Sequence, residues 1–330
     1  MPSDRVAVQP ASSAGERPSA RESGLSARHA GMAVAHDRHL GRWAISLVVA
    51  VALAWLVVAV AANPNLDWGV VGEYLFDPSI LAGVRNTVII TVLSQVIGIA
   101  GGLVLALCRL SANPVLSVFS FGYIWFFRGV PVLVQLIFWY NLGLVFQFLS
   151  VTVPFTDVQL YSVPTNDVIT PFVAVLLGLG LNEAAYMAEI IRGGLSAVPR
   201  GQSEAAASLG MSPFATMRKV VLPQATRIIV PPTTNQLIIM LKISALASVI
   251  TYQDLLTSAT LIYSVNLRTL ELLAVASIWY IALTTVCTIG QGLLERRLGR
   301  SLATTTSRGR RGLLTRARSR AASTTGQERG

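Results

Sequence analysis

Apolar runs about twenty residues long recur along this chain, and they leave few folds open to it. From Trp43 to Ala62 there is no charged residue. At about 1.5 Å of rise per residue, a helix of that length crosses a bilayer. Backbone polar groups in hydrocarbon must be satisfied within their own segment, so such runs read as helices. Composition supports the same conclusion. Of 330 residues, 53% are hydrophobic and only 13% charged, against about a quarter charged in a soluble domain. The sequence predicts an all-α polytopic membrane protein with six transmembrane helices. They fall at about 43–62, 86–108, 126–149, 171–195, 228–250 and 270–293, inside a membrane domain over 41–295. The third is interrupted near its start by Arg128 and Pro131, which leaves room for a separate surface helix over 115–126. Residues 63–83, 150–170 and 251–268 read as loops. Residues 1–40 and 296–330 are poor in large apolar residues and read as disordered tails.

Charge distribution sets the expected orientation. The formal net charge is +10, from 26 Lys+Arg against 16 Asp+Glu. Only Lys219 and Lys242 are lysines, so the excess is arginine. Six spans put both termini on one side. That side collects the tails, Arg109, Arg200, Arg218 and Lys219. The opposite loops hold only Arg85 and Arg268 against Asp67, Glu73, Asp77, Asp157, Asp167 and Asp254. Positive residues mark the cytoplasmic side, so both termini are expected there. Basic charge flanking membrane spans suits lipid headgroups and argues against nucleic acid.

One polar stretch stands apart, from Val198 through Pro213 to Ala225. It reads as a helical hairpin at the cytoplasmic surface. Ser203 is a candidate cap for its first helix. Gly210 supplies a residue tolerant of positive φ at the turn. Ser212 with Pro213 starts the second helix, and Pro223 marks its end.

No Gly-x-x-x-x-Gly-Lys-Ser/Thr loop occurs, so ATP chemistry is not expected of this chain. The three histidines, His29, His36 and His39, all lie in the N-terminal tail. Cys108 and Cys287 sit in apolar runs and read as buried hydrophobes. No catalytic residue, metal or cofactor is expected, and the chain does not read as an enzyme.

The hairpin also carries a family resemblance. Glu204-Ala205-Ala206, three residues, Gly210, nine residues, then Val220-x-Leu222-Pro223 is similar to the EAA loop of permease subunits of bacterial ABC importers. Arg85-Asn86-Thr87, Arg128-Gly129-Val130-Pro131, Glu189-Ile190-Ile191-Arg192-Gly193-Gly194 and Leu222-Pro223-Gln224-Ala225 resemble the polar amino-acid branch. The likeness spans roughly residues 80–295 and excludes the tails. It departs at Ile243-Ser244-Ala245-Leu246, where the family commonly has an acidic or amide residue and a second hydroxyl. The resemblance implies a subunit of the bacterial inner membrane that pairs with a second permease subunit, identical or not. It implies cytoplasmic ABC ATPase subunits and an extracytoplasmic substrate-binding protein that delivers a polar amino acid. Glu204, Ala205, Ala206, Gly210, Leu222 and Pro223 would then couple to the ATPase. The alternatives are an ion-gradient-driven secondary transporter, or an ABC permease for another small polar solute. The first would need no docking hairpin, and no two-fold repeat of spans is found here.

Polar residues inside the spans are the candidates for the substrate path. Glu183 lies half-way along the fourth span. Asn235 and Lys242 lie one heptad apart on the fifth, near one face. Each has a structural alternative. Lys242 could pair with Glu183 or Glu189, and Asn235 could bond a neighbouring helix. Glu189 and Arg192 are spaced to pair with each other.

Overall fold

The computed structural model describes residues 40–152 and 159–325. The expected disordered segment 1–39 lies outside these residues. Contacts divide the chain into two units at Asn63. The first holds helix α1, Leu40–Ala61, 22 residues without an interior breaker.

The second unit begins at Pro64. Its early helices start where the sequence places short polar side chains. Asp67 accepts from the Gly69 amide at 2.9 Å and opens α2, Trp68–Tyr74. Asp77 accepts from the Ser79 amide at 2.8 Å and opens α3, Pro78–Leu110, with proline in the first turn. Asn113 accepts from the Val115 amide at 2.9 Å and opens α4, Pro114–Gly129. These caps satisfy amides that have no partner within the helix.

The expected third span is divided. Pro131 ends α4, and α5, Val132–Tyr140, leaves at a bend of 99°. The Gln135 Nε2 closes that corner by donating to the carbonyls of Phe127 (3.0 Å) and Val130 (2.9 Å). A helical turn at Leu142–Val145 follows, and the last residues expected in the span, Phe148 and Leu149, enter strand β1, Phe148–Thr152. It pairs antiparallel with β2, Gln159–Pro164. The alternation of Val, Thr, Gln, Leu, Tyr and Ser over this stretch suits strands. The described part of the expected loop over 150–170 therefore holds these strands, the one sheet among the described residues, and a helical turn at Thr165–Val168.

Helix α6, Pro171–Ser196, follows Thr170, whose hydroxyl accepts from the Val173 amide. Helix α7, Arg200–Ser208, opens the polar hairpin. A single turn at Pro213–Thr216 and a π-turn at Met217–Val221 lead into α8, Leu222–Ile243. Pro231 and Pro232 lie inside α8. The hydroxyls of Thr233 and Thr234 donate to the Ile229 and Val230 carbonyls nearby. A 3₁₀ segment, Ser244–Ile250, ends the run. The expected loop at 251–268 is mostly α9, Leu255–Asn266, because Asp254 accepts from the Thr257 amide (2.9 Å) and hydroxyl (2.6 Å). Helix α10, Thr269–Thr325, continues through the basic segment expected to be disordered. No proline interrupts residues 269–325, and Ala, Leu and Arg favour helix there.

Four stretches are long and apolar enough to cross a membrane: Pro78–Leu110, Pro171–Ser196, Pro213–Ile250 and Thr269–Leu298. The bent α4–α5 pair can supply another, and α1 contributes the apolar stretch Ile45–Ala59. Large exposed hydrophobics such as Val104, Val118, Phe119, Trp125 and Val286 cover the helices, as a lipid solvent requires.

The interior is built on α3 against α6. A Cβ on Gly98 would stand 2.3 Å from the Glu183 Cγ, and one on Gly102 2.5 Å from the Met187 Cβ. The two helices therefore run parallel, at a distance only small residues permit. One apolar core joins Ile90, Leu136, Val175, Leu179 and Met240. A second joins Val71, Ile80, Leu255, Leu272 and Val275. Replacing Gly98 with Val would push α6 and Glu183 away. We expect a loss of about 1–3 kcal/mol, seen as a lower melting temperature of the detergent-solubilised protein. Gly122, with nothing within 4 Å of an added Cβ, is the control that should be tolerated.

Candidate functional site

Half-way along α6, Glu183 is only 2% exposed. An isolated buried carboxylate is costly unless it is hydrogen-bonded. Two amides from neighbouring helices meet it. The Gln95 Nε2 of α3 donates to Oε1 and the Gln236 Nε2 of α8 donates to Oε2, each at 3.2 Å. The absent side chain of Gly98 makes the space for it. Among the described residues no ion pair reaches Glu183, and Gln95 Oε1 is buried without a hydrogen-bond partner. A cavity of about 280 Å³ lies against this group, walled by Val132, Asn182, Glu183, Tyr186, Gln236 and Met240. Asn182 is turned away to donate to the Phe127 carbonyl at 2.7 Å, which fixes the end of α4 against α6.

The expected substrate-path residues are not gathered into one place. Glu183 is interior, whereas Asn235 and Lys242 are exposed on the outer face of α8. Lys242 pairs with neither Glu183 nor Glu189. Glu189 is bound by Arg192 through Nε (3.3 Å) and Nη2 (2.6 Å). The sequence reading missed Gln95 and Gln236, and both were visible as amides within apolar runs. Gln236 adjoins Asn235, so only the helix phase separates the inward amide from the outward one.

The polar hairpin forms as two helical pieces about a tight turn. Gly210 has φ 75°, with the Gly210 amide donating to the Ala207 carbonyl (2.9 Å) and the Met211 amide to the Ala206 carbonyl (3.1 Å). This pair of bonds closes the end of α7 in a Schellman turn. Ser212 accepts from the Ala215 amide at 3.3 Å, as expected of a cap. Ser203 does not cap α7. The helix begins directly after Pro199, and Ser203 lies inside it. Nor does Pro223 end a helix. It sits in the first turn of α8, where a missing amide is tolerated. The π-turn before it absorbs the mismatch, and Gln224 Nε2 donates to the Val220 carbonyl at 2.9 Å.

The base of the hairpin is anchored by Val198, Val221 and Ala225 packed with Leu195 and Ile229. Its tip is bare. Glu204 and Ala205 are exposed, Ala206 is buried, and Leu209 and Phe214 are 83% and 75% exposed. Leu222 and Pro223 are exposed as well. A short rigid helix with exposed apolar residues beside a carboxylate is a surface shaped for a protein partner.

Comparison with known proteins decides what this assembly of parts is. Residues 98–300 match the family described as binding-protein-dependent transport system inner membrane component. The chain belongs to that family. It is a membrane-spanning permease subunit of an ABC importer. Over 260 residues it is 41% identical to the arginine transport system permease protein ArgU of Corynebacterium glutamicum, covering 78% of this chain and 80% of that one. It is 36% identical over 209 residues to the nopaline transport system permease protein NocM of Agrobacterium fabrum, covering 63% and 83%. A solved amino acid ABC transporter with histidines superposes with a TM-score of 0.59 at 35% identity, covering 68% of this chain and 97% of that one. The MetNI methionine ABC transporter shares the fold at 19% identity and a TM-score of 0.53.

The turn of this permease carries its own test. With φ 75° at Gly210 and open space around it, Gly210→Ala should cost about 1–2 kcal/mol through backbone strain alone. Gly201→Ala, on a helix with the same open space, should cost nothing or stabilise slightly. Thermal denaturation of the two variants separates these outcomes.

Proposed function

We propose that this permease moves a polar amino acid inward, and that Glu183 receives the ammonium or other cationic group of the substrate. The observation that carries the reading is the buried carboxylate itself. It is held by two glutamine amides, lies against a cavity, and has no basic partner among the described residues. An ammonium brings three donors and a positive charge, which the carboxylate and Gln95 Oε1 can both meet. Relatives named for arginine and nopaline support an amino-acid substrate.

The remaining parts take the roles this substrate requires. An extracytoplasmic binding protein delivers the amino acid. Cytoplasmic ATPase subunits dock on Glu204, Ala205, Ala206 and the exposed turn at Gly210, with Leu222 and Pro223 at the root of the hairpin. Six spans, counting α1 and the bent α4–α5 pair, put both termini in the cytoplasm. Asn235 and Lys242 face a second permease subunit or the pore between the two. An amide and an ammonium pointing into lipid would be expensive there. The chain itself performs no chemistry and carries no cofactor, since hydrolysis belongs to the ATPase.

Uptake by the complete complex in proteoliposomes tests both halves. Glu183→Gln removes the charge and keeps the hydrogen-bonding shape. It should lower uptake about ten- to a hundredfold, the worth of one charge-assisted bond, while ATPase binding is kept. Unchanged uptake would remove Glu183 from the path. Glu204→Lys should abolish uptake although the subunit still inserts, and normal ATP-driven transport in that variant would refute the docking role.

A further inference from the structure

Beside the Glu183 cavity lies a second one, of about 620 Å³, whose walls include Arg109, Arg128, Tyr186, Glu189 and Arg192. Tyr186 is common to both cavities. The charges do not balance. Three guanidinium groups face a single carboxylate, and that carboxylate is already engaged at both oxygens by Arg192. Arg109 is held at the cavity's far end by a bond of 2.7 Å to the Ser117 hydroxyl and stacks over Phe121. Arg128 has no acidic hydrogen-bond partner among the described residues. Its guanidinium stands 5.2 Å from the centre of the Tyr186 ring.

The depth of Arg128 gives this imbalance meaning. The bond from Asn182 to the Phe127 carbonyl sets the adjoining residue level with the middle of α6. A cation at that depth costs about 2.5–3.5 kcal/mol on insertion scales, and it is retained where an anion or a polar path meets it. We propose that Arg128 receives the carboxylate of the substrate amino acid, making the two cavities one recognition site for a zwitterion. Glu183 takes the positive end and Arg128 the negative end, on either side of Tyr186. This rests on the role of Glu183 argued above. The planar guanidinium fork suits a carboxylate, which it can bind through two parallel hydrogen bonds. The rival anion is a lipid phosphate, and Trp125 and Phe121, 70% and 55% exposed, would flank it. Lipid phosphates lie at the ends of spanning helices, where Arg109 and Arg192 stand, whereas Arg128, though exposed, follows the Phe127 carbonyl bonded half-way along α6.

The test uses the permease–ATPase complex, with binding protein added only for uptake, and arginine and argininamide as probes. Binding to the solubilised complex without binding protein is measured for wild type, Arg128→Gln and Arg128→Lys. Wild type should prefer arginine to its amide. Arg128→Gln should weaken arginine binding about ten- to a hundredfold and leave argininamide binding as it was, so the preference disappears. Arg128→Lys should restore part of it. Equal losses for both probes would mean a structural role and overturn the proposal, as would a preference unchanged in Arg128→Gln. Proteoliposomes made with phosphatidylglycerol or with phosphatidylcholine alone address the lipid. If wild-type uptake, but not that of Arg128→Gln, depends on phosphatidylglycerol, the cavity is a lipid site and the proposal fails. A wild-type complex that neither binds nor transports arginine, glutamine or histidine would overturn the amino-acid reading itself. Arginine binding in wild type with an unaltered Arg128→Gln would overturn only the assignment made here.

Discussion

The close parallel pairing of α3 and α6 is the contact on which the rest of the structure depends. In lipid there is no gain from burying one apolar surface against another, so helices associate where their backbones can approach. Gly98 and Gly102 permit that approach, and the same absence of a side chain at Gly98 admits Glu183. The packing device and the polar site are one feature. The carboxylate occupies the seam, and its hydrogen bonds to Gln95 and Gln236 tie α3, α6 and α8 together at mid-height. Water cannot satisfy these groups from outside, so the three helices must keep their register for all of the bonds to exist.

Much of this was legible in the sequence because lipid imposes simple rules. Apolar length located α6 and the start of α10 to within a residue, whereas α3 begins eight residues earlier than expected and α8 six residues earlier. The Gly210 turn and the Ser212 cap were readable from local chemistry alone. What escaped was decided by tertiary placement. The bend at Pro131 depends on Gln135 reaching back to two carbonyls, and nothing in the spacing announces that. Helix α9 looked like a loop because hydroxyls interrupt its apolar residues, yet Thr257 and Ser258 are buried with Leu255 and Ala259, and that packing is set by tertiary contact. Lys242 was read as a possible partner of Glu183 because both are rare charges in spans. Helix phase turns it about 120° away from Gln236, the residue of α8 that reaches Glu183.

The site and the hairpin, far apart in space, share the same two helices. Helix α6 carries Glu183 and passes through Ser196 to Pro199, where α7 begins. Helix α8 carries Gln236 and is continuous with the hairpin through the π-turn. Val198 and Val221, next to one another at the base, weld the two helices to the hairpin. A force applied at α7 therefore reaches both halves of the Glu183–Gln236 contact without crossing a loose loop.

Such an arrangement has a consequence for the order of events. A carboxylate that keeps two amide bonds is stable where it is, and a carboxylate that loses one must find another donor or pay the cost of burial. On the proposed reading, that replacement is the substrate's cationic group. Moving α8 relative to α6 by even part of a helical turn would break the bond to Gln236 and open the carboxylate to an incoming ammonium. The reverse movement would restore the amide and expel the cargo. Loading and release would then be set by competition between a glutamine side chain and the substrate for the same oxygen. An ATPase docked on the hairpin, as proposed, would need only to shift the relative position of the two helices that the hairpin joins.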